Sequence, residues 1–285
     1  MARVLISLGA NLGNTHENLL AAASMLQSEF GPGRMRMSQV YRTPPVGGPS
    51  GQSDFLNAVA SIETERTAWE VWDLVKRVEK DLGRHRQHRW EARRIDVDIL
   101  LHGDSRIWTP HLKIPHPRMC MRSFVLVPAM DVAMDVIDPV TGWTVERLHQ
   151  NLMKRPTRPV RIIANTTVMQ EQLQTMVRDH AGTDHQWSHV ELWKHPHDMQ
   201  TGLSVGADAY VLTIVCVQTP DPETIQWEDF AYPWAQALGF TDSSSSPPWQ
   251  GPRYLLPSND LSWTWHEILA SRSAMSCPIY PAHVP

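Results

Sequence analysis

The chain has 285 residues, of which 42% are hydrophobic and 20% charged, with a mean hydropathy of -0.33. That is enough apolar material for a buried core and room for two domains at roughly 100–200 residues each. No apolar stretch approaches the roughly 18 residues of a membrane span, and the start MARVLISLGANLG has the layout of neither a signal nor a transit peptide. Three scattered cysteines (Cys120, Cys216, Cys277) form no disulfide framework and no CxxC pair. Membrane, collagen and disulfide-scaffold classes are excluded, and a reducing cytoplasm is the expected location.

In chain order, Arg3 to Gly9 is a short apolar run ending in glycine and predicts a buried strand. Leu19, Leu20, Ala23 and Leu26 give residues 14–28 a helical face. Met35 to Tyr41 and Phe55 to Glu63 are expected as strands. Thr67 is placed to cap a helix to Leu82 with a stripe of Trp69, Val71, Trp72, Val75 and Val78, closed by Gly83. Arg94 to Leu101 alternates Ile95, Val97 and Ile99 with Asp96 and Asp98, another strand. This βαββαβ order predicts an α+β, ferredoxin-like N-terminal domain over residues 1–155.

The charge changes at that boundary. Residues 1–155 carry 20 Lys and Arg against 17 Asp and Glu, residues 156–285 only 6 against 13. Beyond it, strands are expected near 160–164, 189–193, 210–217 and 253–256. Helices are expected over 167–179, 234–238 and from Asn259-Asp260 to Met275. The pattern predicts a second, smaller α/β domain with a short parallel sheet of about four strands. Ser243 to Pro248 (SSSSPP) is expected as a loop. His185, His189, His195, His197 and Asp198 are read as ordinary surface residues or, by residue type, as ligands of a transition metal, and the tryptophans as core or as a docking surface. A protein partner for this half is left open, with no identity implied.

Side chains two apart on a strand share a face, so Asp96 and Asp98 point the same way. Alone, such a pair is either a solvated strand face or a site for a hard cation such as Mg²⁺, which takes one or two carboxylates plus substrate phosphates. The preceding run from Lys76 to Arg94 holds eight basic residues against three acids and includes Trp90. Arginine forks suit phosphate oxygens. The combination of basic loop, aromatic and paired carboxylates favours a metal–polyphosphate site. Two proline-stiffened loops, Tyr41-Arg-Thr-Pro-Pro-Val-Gly47 and Ile114-Pro-His-Pro-Arg118, suit the rim of a small-ligand pocket. Neither GxxxxGK[ST] nor GxGxxG occurs, so Walker-type and Rossmann-type nucleotide binding lack support.

In order, Ser7-Leu-Gly-Ala-Asn-Leu-Gly13, Tyr41-Arg-Thr-Pro-Pro45, Gln52-Ser-Asp-Phe-Leu-Asn57 and Glu79-Lys-Asp-Leu-Gly-Arg-His-Arg86 are followed by Arg89-Trp-Glu-Ala-Arg93, Ile95-Asp-Val-Asp-Ile-Leu100, Ile114-Pro-His-Pro-Arg118 and Arg122-Ser-Phe-Val-Leu126. Together they resemble the 6-hydroxymethyl-7,8-dihydropterin pyrophosphokinase family of folate biosynthesis, over about residues 1–150. The resemblance implies a kinase-type transferase that moves pyrophosphate from ATP to the pterin hydroxymethyl and releases AMP. It implies Asp96 and Asp98 as ligands of two Mg²⁺ ions, and Arg84, Arg86, Arg93 and Trp90 as catalytic-loop residues, with Trp90 also closing over the pterin. Glu79, Arg84, Arg86, Arg93, Ile99, His116 and Arg122 would bind ATP. Thr43, Pro44, Val46, Phe55, Asn57 and Phe124 would bind pterin, the two phenylalanines sandwiching the ring and Asn57 reading its edge. One departure is Glu91-Ala92, where the family usually has Gly-Pro. It keeps open a non-catalytic pterin- or nucleotide-binding sensor as the alternative. An RNA-binding module is disfavoured by the pI of about 6.4 and by the lack of paired sheet aromatics, so neither nucleic acid nor membrane is an expected partner.

Overall fold

The computed structural model describes residues 1–83, 92–154, 159–181, 187–196, 198, 209–219, 227–242 and 251–282. The first half is an antiparallel sheet. β1 (Ala2–Ala10) is followed by α1 (Thr15–Phe30), β2 (Met35–Met37), β3 (Tyr41–Thr43), β4 (Phe55–Thr64), α2 (Ala68–Asp81) and β5 (Asp96–His102). β1 is central, paired with β4 on one side and β5 on the other, and β4 carries β2 and β3 on its far edge.

Two expectations are corrected. The strand expected over residues 35–41 is two strands, because residues 38–40 oppose only two residues of β4. This is a bulge in which Ser38 Oγ accepts the Val59 N–H at 2.9 Å in place of a backbone carbonyl. The α2 stripe is also different. Trp69 is 43% exposed, and the buried face is Ala68, Val71, Leu74, Val75 and Val78. Trp69 sits in the first turn, on the flank of that face, where its ring meets Trp72 edge-on. A capping box between Thr67 and Glu70 starts the helix.

α1 and α2 cover one face of the sheet through Leu19, Leu26, Val71, Leu74 and Val78 packed on Val4, Ile6, Leu8 and Val97. The chain then passes through the short hairpins β6 (Ile107–Trp108) with β7 (Lys113–Ile114), and β8 (Ile137–Asp138) with β9 (Trp143–Thr144). Between these hairpins runs α3 (Ser123–Ala133), and α4 (Val145–Met153) follows them. α3 lies over the opposite face of the sheet, against Leu5, Val59 and Leu100. It covers only one end of that face and leaves the other open.

The second half builds a four-stranded parallel sheet in the order β11–β10–β12–β13, from β10 (Val160–Ala164), β11 (Trp187–Leu192), β12 (Leu212–Gln218) and β13 (Arg253–Ser258). α5 (Thr167–Ala181), α6 (Trp227–Ala237) and α7 (Leu261–Met275) pack around it. β12 is buried throughout its first six residues, as its continuous apolar run requires. α6 begins seven residues earlier than expected, and Asp260 caps α7 by accepting the Trp263 N–H at 3.0 Å. Trp143, Trp187, Trp193, Trp234 and Trp265 are buried, so these tryptophans are core. SSSSPP, His185 and His197 lie outside the described residues. No described group of three or more His, Cys, Asp or Glu could hold a metal.

The two sheets share one hydrophobic cluster, which runs from Leu5 and Leu101 through Met121, Leu126 and Trp143 to Ile162, Leu212 and Ile268. A last strand, β14 (Tyr280–Pro281), returns to the first sheet and pairs antiparallel with β3. No described helix is long and apolar enough to cross a membrane.

All three cysteines are free and buried. Burial pushes the Cys120 and Cys216 thiols up to about 12 and the Cys277 thiol to about 11. Only thiolates react with Ellman's reagent. At pH 8 the native protein is expected to yield less than one titratable thiol, and all three after denaturation; prompt reaction of the native form would contradict the burial.

Candidate functional site

The open end of the sheet face under α3 is a cavity of about 230 Å³. Its floor follows from strand register. Asn57 of β4, Gly9 of β1 and Asp96 of β5 stand in one row, with Ser7 opposite Asp98 two residues along. Period-two alternation sends Ser7, Asn57, Asp96 and Asp98 to the side opposite α1 and α2. Gly9 leaves room for Asn57, since a Cβ there would lie 3.2 Å from Asn57 Oδ1.

One wall is the loop after β3. Thr43, Pro44, Pro45, Val46 and Gly47 line the cavity, and Phe55 faces it from the start of β4. The buried Asn57 amide donates to Thr43 Oγ1 at 2.9 Å, which fixes the orientation of the side chain. Phe124, at the first turn of α3, closes the other side, and the Arg122 guanidinium stacks 5.5 Å from its ring.

The carboxylates occupy the far end. Arg93 donates to Asp96 Oδ2. The end of the basic loop is held to β1, for Asn11 Oδ1 accepts the Arg93 N–H at 2.7 Å and the Arg93 carbonyl accepts the N–H groups of Asn11 and Leu12. Asp98 Oδ2 lies 3.7 Å from His116 Nε2 and 4.0 Å from Arg122 Nη1. Removal from water, followed by the charges of Arg122 and Arg118, holds His116 well below the usual histidine range, so its ring is neutral near pH 7. Its Nδ1 accepts the Arg118 N–H at 3.1 Å, which puts the proton on Nε2, facing Asp98. Burial, then Arg118, brings Arg122 down to about 10, still charged near neutrality.

Glu79 and Ile99 do not reach this cavity. They line a second hollow behind β5 with Lys76, Lys80 and Leu112, and Asp98 and His116 belong to both spaces. Glu79 is 4% exposed. Its Oε1 accepts the Val97 N–H at 2.9 Å on the outer edge of β5, and its Oε2 accepts from Lys76 at 2.8 Å.

Thus Thr43, Pro44, Val46, Phe55, Asn57, Arg93, Asp96, Asp98, His116, Arg122 and Phe124 converge on one cavity, and Glu79 and Ile99 on its neighbour. Arg84, Arg86, Trp90 and Glu91 lie outside the described residues. Ser7, Gln52 and Arg118 also line the cavity. Register with Asp98 would have found Ser7. Arg118 stood in a motif without a role.

Two oxygen-donating carboxylates on one open face, ringed by cations, fit Mg²⁺, which completes its shell with water and phosphate and needs no third protein ligand. The arrangement is a narrow slot with one fixed amide, opening onto paired carboxylates and then onto a second hollow. It can align a flat heterocycle with a metal–polyphosphate.

Residues 5–134 match the family model for 7,8-dihydro-6-hydroxymethylpterin-pyrophosphokinase. The 2-amino-4-hydroxy-6-hydroxymethyldihydropteridine pyrophosphokinase of Haemophilus influenzae is 39% identical over 150 residues, 53% of this chain and 93% of that protein. The Bacillus subtilis protein of the same name is 37% identical over 48% of this chain and 81% of its own. A solved Plasmodium falciparum HPPK-DHPS with pteroate aligns at 12% identity and a TM-score of 0.43, over 78% of this chain and 63% of that one.

Proposed function

The chain belongs to the 7,8-dihydro-6-hydroxymethylpterin-pyrophosphokinase family, and from that premise we propose how its residues divide the work. It is an ATP-dependent diphosphotransferase of folate biosynthesis: pyrophosphate passes from ATP to the hydroxymethyl of 6-hydroxymethyl-7,8-dihydropterin, and AMP leaves.

The pterin occupies the slot between Phe55 and Phe124. Thr43, Pro44 and Val46 form its rim, and Asn57, held by Thr43, pairs with the amide-like edge of the ring. ATP lies along the carboxylate end with its base toward Glu79 and Ile99. His116 donates from Nε2, while Arg93 and Arg122, together with Arg84 and Arg86, clamp the phosphates. Asp96 and Asp98 would hold two Mg²⁺ ions. The metal, when bound, neutralises the triphosphate and makes its β-phosphorus more electrophilic.

The substrate's own hydroxyl oxygen is the nucleophile. It bonds to the β-phosphorus as the bond from that phosphorus to the α-phosphate oxygen breaks, and the hydroxyl proton departs. Asp96 and Asp98 are the carboxylates on the wall able to take that proton. No residue of the chain is covalently modified, and the protein's contribution is alignment and charge placement.

The strand order β3–β4–β1–β5, with α1 and α2 on one face, supports reading the first half as ferredoxin-like. The charge change at residue 155 and the separate parallel sheet support a second, α/β unit over 156–285. Three free thiols accord with a reducing cytoplasm.

The observation that carries this assignment is the row Asn57–Gly9–Asp96 across three adjacent strands, which sets a ring-reading amide in line with the carboxylates. With ATP, Mg²⁺ and the pterin, the chain is expected to form AMP and pterin diphosphate in equal amounts, measured by anion-exchange chromatography. Tight binding of both substrates with no AMP would instead identify a sensor.

A further inference from the structure

Arg118 lines the main cavity beside His116 and Arg122, yet its side chain is held from the other half of the chain. Its Nη2 donates to Glu267 Oε1 at 2.9 Å and lies 2.8 Å from Oε2. Its Nε donates to the Tyr254 hydroxyl at 3.2 Å, and that hydroxyl donates to Glu267 Oε2 at 3.2 Å. Tyr254 is on β13 and Glu267 on α7, 136 and 149 residues away.

Glu267 is 2% exposed, on a buried helix face with Thr264, Ile268, Ser271 and Ala274. A carboxylate so placed requires a cation, and well-packed apolar residues would serve stability at least as well. The triad is therefore explained better by position than by stability. What it positions follows from the turn at Arg118. The Arg118 N–H fixes His116 Nδ1, the Met119 N–H bonds the His116 carbonyl at 2.9 Å, and the Arg122 N–H bonds the Met119 carbonyl at 3.2 Å. The same half also reaches the start of α3, where Ser123 Oγ donates to the Ala274 carbonyl at 2.8 Å.

We propose that Tyr254 and Glu267 are positioning residues for the pyrophosphoryl transfer, acting through Arg118 to set His116 and Arg122 against the phosphates. Residues 156–285 are on this view part of the active-site frame. The proposal rests on the assignment of His116 and Arg122 to the phosphates.

Its test is a double-mutant cycle in the full chain, read as the Kd for α,β-methylene-ATP with Mg²⁺ and as the KM for ATP. Glu267→Gln is expected to raise both about tenfold, with the pterin KM within twofold. In an Arg118→Met background the same change is expected to add less than twofold, because the path is already cut. The Arg118→Met, Glu267→Gln pair removes both buried charges together and so retains the fold. Should either single charge variant fail to fold, Tyr254→Phe takes its place with an expected threefold rise, lost in the Arg118→Met, Glu267→Gln background, which leaves no buried charge unpaired.

Unchanged Kd and KM with only less active protein would reduce the triad to a structural role and overturn the proposal, as would an equal rise in both backgrounds. The binding arm needs no turnover. Wild-type chain that binds the analogue yet forms no AMP would defeat the enzymatic assignment and still leave this one decided by Kd.

Discussion

Alanine at both Asp96 and Asp98 is expected to cut pterin-dependent AMP formation by at least about 10³-fold, on the order of 4 kcal/mol of transition-state stabilisation. Both carboxylates are partly exposed in the cavity and face Arg93, His116 and Arg122. Their loss should therefore cost the fold little while leaving a cluster of positive charge without its counterpart. Burial already lowers Arg122, and Asp98 opposes that shift, so the variant's Arg122 is expected to become a weaker base. Rates at saturating ATP and pterin, beside circular dichroism of the same samples, decide the matter. A folded double variant that keeps more than a tenth of the wild-type rate would remove the metal assignment.

Asn57→Ala is the second large effect, and it falls on the other substrate. The amide is buried and held by Thr43, so it meets a ligand pre-oriented and nearly dry. A site built to hydrogen-bond a polar edge loses heavily when its partner group is removed. The KM for the pterin is expected to rise about 10²-fold, roughly 2.7 kcal/mol, with the KM for ATP within twofold. Equal changes in both constants would mean that the residue supports the sheet and not the ring. The two variants together separate the two ends of the cavity.

Much of this site could be read from the chain because its signals are local. Asp96 and Asp98 share a face by the two-residue period of a strand, and the alternation with Ile95, Val97 and Ile99 says which face. Thr43 to Val46 and His116 to Arg122 sit in proline-marked loops whose rigidity is written in the residues. Local pattern misleads where neighbours in space overrule it. Trp69 fits an apolar stripe by spacing, but the turn it occupies lies at the flank of the contact. The bulge at residues 38–40 depends on Ser38 replacing a carbonyl in a ladder with β4, some twenty residues away.

Arg118, Tyr254 and Glu267 are the extreme case, joined across 136 and 149 residues. The only trace in the sequence was a lone glutamate among Trp265, Ile268 and Leu269, in a half where basic residues are scarce. A buried acid on a helix with few exposed neighbours announces that a cation exists, but not which one.

The pairing of Tyr280–Pro281 with Tyr41–Arg42 also sets an order of events during synthesis. Strand β3 leaves the ribosome early, with one edge open, and an uncovered edge is a template for pairing with other chains. The residues that cover it follow more than 230 positions later, as the Cys277 contact with the Pro44 carbonyl shows. At about 5–20 residues per second, that edge waits roughly 10–50 s before its own chain returns. Pro281 has no N–H to offer, and the next N–H, that of Ala282, donates to the Val40 carbonyl at 2.8 Å. A ribosome stalled between the two halves would leave the rim bare.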